Sequence, residues 1–278
     1  MGVLIGVEDL ADLLDNSGAA TVLDVRWTLG GPSRLPDFLI GHIPGAWWVD
    51  LETELSDHRR HGGRHPLPEP EAFAAAMRRA GVAVDRPVVI YDADNALAAA
   101  RLWWMLTDAG HPDVRVLNGG YAAWTTAGQP TETGTAGPPR SGDFVAGSGR
   151  LPSVDGDQLA ALVAAGRSRV IIDVRGAERY AGESEPIDPV AGHVPGAINV
   201  PSMINVDDTG RFRSAAEIAE HFPEADGSDI VYCGSGITAA HAALARVSAG
   251  LPVPTIYLGS WSDWITDPKR PVATGDQP

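Results

Sequence analysis

The chain has 278 residues, of which 44% are hydrophobic, and a formal net charge of −15. This length suffices for two domains of ordinary size, and no apolar run approaches the ~20 residues of a membrane-spanning helix. The negative charge disfavours binding to nucleic acid or to anionic membrane surfaces, so an anionic substrate would need a locally positive pocket. A single cysteine allows no internal disulfide and the first residues lack the pattern of a signal peptide, so we expect a cytoplasmic protein.

Short apolar runs alternate with longer helical patterns along both halves of the chain. In the first half the pattern predicts a helix, a strand, a helix and a strand at 69–81, 87–91, 96–109 and 114–117. In the second half it predicts the same series at 214–222, 229–232, 237–249 and 255–258. Continuous apolar strands between helices favour an α/β fold with a mainly parallel sheet covered by helices on both faces.

Four sequence elements occur twice in the same order, which indicates a duplicated domain. They are VLDVR at 22–26 and IIDVR at 171–175, GHIPGA at 41–46 and GHVPGA at 192–197, VVIYD at 88–92 and DIVYC at 229–233, and LNGGYAAW at 117–124 and YLGSWSDW at 257–264. The period is too long for a solenoid, so each copy should have its own core. Between the copies, a stretch rich in Gly, Pro, Ser and Thr is typical of a linker. We therefore predict a first domain at 1–127, a linker at 128–152 and a second domain at 153–278.

The one cysteine, Cys233, stands where the predicted strand 229–232 runs into a helix. A thiol at a helix N-terminus is surrounded by unpaired backbone N–H groups and by the positive end of the helix dipole, and both stabilise the nucleophilic thiolate. Gly234 and Gly236 allow the backbone to curl so that successive amides point inward as an anion-binding nest. An inert, buried cysteine is the alternative. The flanking glycines, which a simple core position does not need, favour a reactive nucleophile.

The duplication separates structural elements from chemical ones. The Asp-Val-Arg and Pro-Gly elements occur in both copies, so we expect them to serve strand ends and turns, with Asp24 and Asp173 accepting backbone N–H bonds. The Cys233 loop occurs once. Its counterpart has neither thiol nor glycines, and Asp92 and Asp94 would disfavour an anion there. One active site, in the C-terminal half, follows from this comparison.

These elements together resemble the two-domain sulfurtransferases of the rhodanese superfamily. The resemblance rests on the duplicated Asp-x-Arg and Gly-His-(Ile/Val)-Pro-Gly-Ala elements, and on a cysteine loop in the second copy alone. The segment RYAG at 179–182, followed by Glu-Pro at 185–186, belongs to the same pattern, and the whole match runs over about 7–271. The loop CGSGIT at 233–238 is similar to the mercaptopyruvate sulfurtransferase branch. Thiosulfate-preferring rhodaneses carry basic residues directly after the cysteine, where this chain has Gly and Ser.

The resemblance implies two tandem rhodanese-like domains and a ping-pong sulfurtransferase that needs no cofactor or metal. The Cys233 thiolate would take sulfane sulfur from a small anionic donor, 3-mercaptopyruvate or thiosulfate, and pass it to cyanide, a thiol or a thioredoxin-like protein. The loop amides would bind the sulfur anion, and the residues implied are Gly234, Gly236, Ile237 and Thr238. Thr238 could equally be an ordinary first-turn helix residue.

Arg179 is the residue that the resemblance assigns to the donor carboxylate, a role that suits a planar guanidinium. The alternative is a surface salt bridge with Glu178 or Glu183. The mercaptopyruvate branch usually has a second arginine directly after the Glu-Pro element, where this chain has Ile187. This departure leaves the identity of the donor open.

The family also suggests a proton relay in which Ser235 and His42 act together with an acid. Asp37 is near His42 in the sequence, but the alignment there is loose, so the acid is unassigned. Because His193 repeats His42, a structural role for both histidines is the alternative. If the relay is real, changing His42 to Ala should slow donor attack.

Two other functions are alternatives to the sulfurtransferase. Cys-dependent phosphatases need an arginine at the end of a Cys-x5-Arg loop, where this chain has Ala239, so that activity is disfavoured. A persulfide-carrying or redox-sensing module would use the same thiol with little turnover of small donors. The basic cluster RRHGGRH at 59–65 either borders a cleft and attracts anions or is a solvated loop, and its histidine spacing is no metal signature.

Overall fold

The computed structural model describes residues 2–15, 19–135, 142–147, 149–166, 170–222 and 227–278. They form two compact units, each built on one five-stranded parallel sheet. Unit 1 comprises Met1–Asp57, Pro68–Arg150 and Val206–Phe212, and unit 2 comprises His58–Leu67, Leu151–Asn205 and Arg213–Pro278. The predicted α/β fold with two parallel sheets is therefore confirmed. In the described part of the chain, no helix combines the length and the apolar character needed to cross a membrane.

In unit 1 the sheet order is β1-β5-β4-β2-β3, with β4 in the centre. Its elements are β1 (Leu4–Ile5), α1 (Val7–Asp15), β2 (Thr21–Asp24), α2 (Leu35–Ile40), β3 (Trp47–Trp48), α3 (Leu51–Glu54), α4 (Pro70–Arg79), β4 (Val88–Tyr91), α5 (Leu97–Asp108), β5 (Val114–Leu117) and α6 (Gly120–Thr126). Strands β2 and β4 are buried along their whole length. Leu10, Tyr91 and Trp124 belong to the core that covers the sheet.

Unit 2 repeats this order as β6-β10-β9-β7-β8, with β9 in the centre. Its elements are β6 (Ser153–Val154), α7 (Gly156–Ala164), β7 (Ile171–Asp173), α8 (Ala177–Ala181), β8 (Ala197–Asn199), a 3-10 helix (Ser202–Asn205), α9 (Ala215–His221), β9 (Ile230–Tyr232), α10 (Ile237–Ser248), β10 (Thr255–Tyr257) and α11 (Ser260–Trp264). Its core contains Leu159, Tyr232 and Trp264. In a parallel sheet of this kind, ligands bind beyond the carboxyl ends of the strands.

The predicted helices and strands lie within one or two residues of the observed ones, and local chemistry sets their ends. Helix α4 begins at Pro70, because a proline has no N–H to lose in the first turn. Helix α9 begins after Ser214, whose side chain and that of Glu217 form a reciprocal capping box. Helix α10 follows Gly236, which has a positive φ of 83° that favours glycine.

The repeated Asp-x-Arg element makes the same contacts in both units. The backbone N–H of Arg26 donates to Asp24 Oδ1 at 3.0 Å, and its guanidinium donates to the same carboxylate. In unit 2 the backbone N–H of Arg175 donates to Asp173 Oδ1 at 2.9 Å. The two aspartates therefore accept backbone N–H bonds as predicted, and each also orients its arginine.

The predicted linker, 128–152, is only partly described, since 136–141 and 148 lie outside the described residues. Phe144 is buried in unit 1, and Val145 beside it is exposed. The division at 1–127, 128–152 and 153–278 stays a prediction. Unit 2 includes His58–Leu67 from the first copy, and unit 1 includes Val206–Phe212 from the second copy. A division of the chain at one linker does not describe these two segments.

Candidate active site

Cys233 directly follows the central strand β9 of unit 2, and its side chain is buried. The backbone N–H of Gly236 donates to Cys233 Sγ over 3.1 Å, and the Ser260 hydroxyl lies 3.8 Å from the same sulfur. The thiol thus sits between a loop amide at the start of α10 and a hydroxyl group. The amide is a donor that favours a sulfur anion, whereas the Ser260 hydroxyl donates to the Tyr257 carbonyl over 2.9 Å.

The cysteine loop is fixed from the side of α11. The backbone N–H of Trp261 donates to the carbonyl of Cys233, and the N–H of Ser262 donates to the carbonyl of Gly234, each over 2.9 Å. Ser260 accepts a hydrogen bond from the N–H of Cys233 at 3.1 Å. Ser260 has a positive φ of 55°, unusual for a serine, which places its hydroxyl under the loop. In the sequence, the one signal for Ser260 is its place opposite Gly120 in the repeat.

Ser235, predicted to belong to a proton relay, is paired with His65. The Ser235 Oγ lies 2.8 Å from His65 Nδ1, and both residues are buried. His65 belongs to His58–Leu67, the segment of the first copy that is part of unit 2. In the sequence this histidine belongs to the basic cluster at 59–65, and nothing in its spacing indicates a contact with Ser235.

His42 lies in unit 1, and its geometry favours the structural alternative. Its ring stacks on Phe38 with centroids 4.0 Å apart, and its Nδ1–H donates to the Phe38 carbonyl over 2.9 Å. His193 does the same on Tyr180, at 3.8 Å and 2.9 Å. The ring stacking and the hydrogen bond to a carbonyl are common to both histidines and serve the repeated fold, while His42 Nε2 also lies 3.8 Å from the Glu132 carboxylate. We therefore do not carry His42 into the relay.

Asp37, considered as the acid beside His42, forms an ion pair with Arg34 instead. Both side chains are exposed on α2 and its N-terminal cap. The acid partner of the relay stays unassigned.

Arg179, on α8, is held by two acidic side chains other than those expected. Its Nε and Nη2 donate to the Glu185 carboxylate at 2.7 to 3.1 Å, and Nη2 also donates to Asp188 Oδ2 at 3.0 Å. The expected surface partners were Glu178 and Glu183, so that alternative is wrong. Burial raises the pKa of Glu185, but hydrogen bonds from Arg179 and from the backbone N–H of Asp188 outweigh it and hold the pKa below its usual value.

Arg64 reaches the cysteine loop beside Arg179. A Cβ atom added at Gly234 would lie 3.2 Å from Arg64 Nη2 and 3.5 Å from Arg179 Nη1. Arg64 Nη1 donates to Asp188 Oδ1 over 2.6 Å. The solvated-loop alternative for 59–65 is therefore wrong for Arg64 and His65, while the side chains nearer the start of that segment are exposed.

The remaining loop residues are less directly engaged with the sulfur. Ile237 is buried as the first residue of α10. Thr238 is half-buried in the first turn and makes no side-chain hydrogen bond to any residue that the structure describes. This arrangement agrees with its alternative role as an ordinary helix residue. Of the loop amides, that of Gly236 contacts Sγ in this structure.

The corresponding loop of unit 1 is occupied by its own carboxylate. Asp92 follows the central strand β4, and its oxygens accept backbone N–H bonds from Ala96, Ala98 and Ala99 at 3.0 to 3.2 Å. Burial raises the pKa of Asp92 to about 6, despite these hydrogen bonds. The carboxylate thus uses the helix N-terminus that would otherwise bind an anion.

A cavity of about 670 Å³ in unit 2 borders the site. His65 and Gly259 line it, so it reaches the residue that contacts Ser235. Among the residues that the structure describes, no group of three or more His, Cys, Asp or Glu side chains is arranged to hold a metal ion.

The known proteins that resemble this chain belong to one family. The profile of the rhodanese-like domain matches residues 6–127 and 155–267. SseB of Mycobacterium tuberculosis, to which thiosulfate sulfurtransferase activity is attributed, is 42% identical over 278 aligned residues, which cover 98% of this chain and 97% of SseB. A Pseudomonas aeruginosa protein to which 3-mercaptopyruvate sulfurtransferase activity is attributed is 42% identical over 264 residues, with 92% of each chain covered.

Among solved structures, the crystal structure of SseA from Escherichia coli, from work on 3-mercaptopyruvate sulfotransferases, superimposes with a TM-score of 0.81 at 33% sequence identity. The match covers 94% of this chain and 100% of SseA. The family profile matches both domains, and the sheet order is the same in both units. The relatives align over nearly their whole length. The chain belongs to the rhodanese family, among its two-domain sulfurtransferases.

Proposed function

We propose that this enzyme moves a sulfane sulfur from a small anionic donor through a Cys233 persulfide to cyanide or to a thiol acceptor such as a thioredoxin-like protein. The observation that carries the proposal is the placement of Cys233. The only cysteine of the chain ends the central strand of unit 2 and accepts the N–H of Gly236 on its sulfur. A cytoplasmic location is part of the proposal.

In the first half-reaction the Cys233 thiolate attacks the transferable sulfur of the donor. With thiosulfate, the S–S bond breaks and sulfite leaves with the electron pair. With 3-mercaptopyruvate, the C–S bond breaks, the leaving enolate takes up a proton to give pyruvate, and the donor thiol proton stays on the persulfide or is released. The acceptor then attacks the outer sulfur, so that cyanide leaves as thiocyanate and the Cys233 thiolate returns.

Ser235 and His65 supply the proton pathway in this proposal, in place of the expected Ser235 and His42. The Ser235 hydroxyl is two residues from the nucleophile, and the imidazole behind it can accept a proton from the hydroxyl or return one to it. Their 2.8 Å contact supports this role. The pathway serves the mercaptopyruvate reaction in particular, because its leaving group needs a proton and sulfite does not.

Arg179 binds the donor anion in this proposal. Its Nη1 lies on the side of Gly234, and it makes no hydrogen bond within the described residues. The other two guanidinium nitrogens, Nε and Nη2, donate to Glu185 and Asp188, and these hydrogen bonds fix the orientation of the guanidinium plane. A carboxylate or thiosulfonate oxygen can therefore approach an oriented cation.

Thiocyanate release from cyanide tests the proposal, with 3-mercaptopyruvate and thiosulfate compared side by side and Cys233→Ser as the blank. We expect many turnovers with at least one donor, and none in the blank. Thiosulfate sulfurtransferase activity is attributed to one relative and 3-mercaptopyruvate sulfurtransferase activity to another, so the assay needs both donors. Release that stops after one equivalent would instead indicate the persulfide-carrying or redox-sensing module. Activity that survives in the blank would refute the role of Cys233.

A further inference from the structure

A fifth sequence element occurs in both copies of the domain. It reads PTETG at 130–134 and PVATG at 271–275. The carbonyl of its proline accepts an indole N–H bond in each unit, from Trp124 over 2.8 Å in unit 1 and from Trp264 over 2.9 Å in unit 2. We call the two segments strap 1 (130–134) and strap 2 (271–275), because each is tied to its unit by backbone hydrogen bonds.

Strap 2 closes on the end of helix α8. The backbone N–H and carbonyl of Ala273 exchange hydrogen bonds with those of His193, at 3.0 and 2.8 Å. The N–H of Gly275 donates to the carbonyl of Ala181, the last residue of α8, over 2.8 Å. In unit 1, strap 1 makes the same three bonds with the end of α2 and the residues that follow it, at 2.8 to 2.9 Å.

Helix α8 depends on these contacts to hold Arg179. It has five residues, and isolated helices of fewer than about 12 residues are marginal in water. The carbonyl of Tyr180, the residue after Arg179, accepts the Nδ1–H of His193 over 2.9 Å, and the two rings stack with centroids 3.8 Å apart. Strap 2 therefore holds both residues that follow Arg179, the first through His193 and the second directly.

The other end of strap 2 is joined to the helix that fixes the nucleophile. Trp264, which donates to the first residue of strap 2, is the last residue of α11. The N–H groups of Trp261 and Ser262 in the same helix donate to carbonyls of the cysteine loop. Strap 2 thus connects the helix that fixes the Cys233 loop to the helix that carries Arg179.

We propose that strap 2 is a positioning element of the donor site, and that it sets the place of Arg179 relative to Cys233. The inference rests on the proposed function, in which Arg179 binds the donor anion. The repeat separates this role from a purely structural one. Strap 1 makes the same bonds to α2, which carries no residue of the proposed donor site. Both straps should therefore stabilise their own unit, and only strap 2 should affect donor binding.

The first test removes one strap bond in each unit. Ala273→Pro and Glu132→Pro each lack the N–H that donates to the carbonyl of the repeated histidine, and both should lower the midpoint of urea unfolding. In thiocyanate formation, Ala273→Pro should raise the KM of the donor about fivefold, the factor that corresponds to one net hydrogen bond, with kcat within about twofold of wild type. Glu132→Pro should leave KM unchanged. Ala273→Ser keeps the N–H and should match wild type.

A double variant shows whether strap 2 acts through Arg179. Arg179→Gln alone should raise KM, and adding Ala273→Pro should raise it little further, because the strap then has no donor-binding arginine to position. An unchanged KM in Ala273→Pro would overturn the proposal, as would an equal effect of Ala273→Pro with and without Arg179. If Arg179→Gln itself leaves KM unchanged, the donor role of Arg179 in the proposed function fails, and the inference fails with it.

Alkylation of Cys233 tests the same site without turnover. Iodoacetate and iodoacetamide each form an S–C bond with loss of iodide, only iodoacetate carries a carboxylate, and the protein has no other cysteine. The ratio of the iodoacetate rate to the iodoacetamide rate should fall about fivefold in Ala273→Pro and stay constant in Glu132→Pro. If wild type turns over neither donor, the proposed function fails, and this ratio decides whether strap 2 positions an anion-binding group.

A milder pair of variants covers the case in which Ala273→Pro does not fold. Gly275 and Gly134 have positive φ angles of 92° and 83°, and nothing lies within 4 Å of the Cβ that alanine would add at either. Gly275→Ala and Gly134→Ala therefore strain the two straps alike. Gly275→Ala should raise KM and lower the alkylation ratio, and Gly134→Ala should change neither. Wild-type values of both in Gly275→Ala would overturn the proposal.

Discussion

Replacing His65 by Gln should slow sulfur transfer from 3-mercaptopyruvate by about a hundredfold in the protein that remains folded. The same change at His42 should destabilise unit 1 and leave the rate nearly unchanged. The two histidines belong to the same copy of the sequence. Only the structure separates their roles, which makes the pair a direct test of the reassigned relay.

The magnitude follows from the contact between His65 Nδ1 and Ser235 Oγ. A positioned general acid or base contributes 10²–10⁴-fold in rate, and we expect the lower end because the hydroxyl stands between the imidazole and the reacting atoms. Gln at position 65 keeps a polar side chain beside Ser235, so the hydroxyl stays paired. Ser235→Ala should give a similar loss, and the double variant should lose little more, because the two groups act as one unit.

His42→Gln and His193→Gln are the matched controls from the repeat. Each change removes a buried ring stacked on an aromatic side chain and replaces a hydrogen bond to a carbonyl. We expect each to cost about 2–3 kcal/mol of unfolding free energy. In the protein that remains folded, kcat should stay within about threefold of wild type, a change of well under 1 kcal/mol in the barrier.

The assay is steady-state thiocyanate formation at a temperature where circular dichroism shows each variant folded. Thiosulfate serves as an internal comparison, because sulfite leaves without a proton and should depend less on His65. Wild-type turnover of 3-mercaptopyruvate by His65→Gln would refute the relay. A hundredfold loss in His42→Gln with folding intact would restore the relay expected from the sequence.

Three further predictions concern charge and packing. Burial raises the pKa of Asp92 from 3.8 to about 6, so the folded state keeps this proton over a pH range in which the unfolded chain has released it. Stability should therefore fall by about 3 kcal/mol as the pH rises from 3 to 7. Asp92→Asn should remove this pH dependence, which urea unfolding and hydrogen exchange of β4 and α5 measure. Arg246→Met should destabilise unit 2 by about 3–5 kcal/mol in urea unfolding, because it leaves the buried Asp229 carboxylate without its ion-pair partner. Ser260→Ala should lower kcat several-fold, since Cys233 loses a hydroxyl partner at its N–H and at its sulfur, and stopped-flow persulfide formation measures this.

Each of these has a result that would contradict it. If the unfolding free energy of Asp92→Asn still falls as the pH rises, another group is responsible for that fall. For the buried ion pair, Arg246→Met with wild-type stability would show that the Asp229 carboxylate takes up a proton without cost. If Ser260→Ala forms the persulfide at the wild-type rate, the hydrogen bond from the Gly236 amide is sufficient to stabilise the sulfur.

The sequence by itself determined the architecture of this protein. Because the domain is duplicated, each sequence element occurs twice, and the two copies support the same assignment of helices and strands. Apolar runs separated by amphipathic stretches specify parallel strands and helices locally, so the predicted elements match the structure closely. The single cysteine between a strand and a Gly-Ser-Gly loop predicts the position of the proposed nucleophile for the same local reason. Comparison of the copies also predicted that Asp24 and Asp173 accept backbone N–H bonds, and it offered the structural alternative for His42 that the contacts of both histidines favour.

The tertiary structure decided which distant side chains surround the nucleophile. Arg64 and His65 are far from Cys233 in the sequence, and their segment gives no periodic signal because it forms neither helix nor strand. The position of the Ser260 hydroxyl depends on a backbone conformation with positive φ, which cannot be predicted from a serine in the sequence. Secondary structure is encoded by neighbours along the chain, but an active site is assembled from long-range contacts whose hydrogen bonds and ion pairs exist only once the chain has folded.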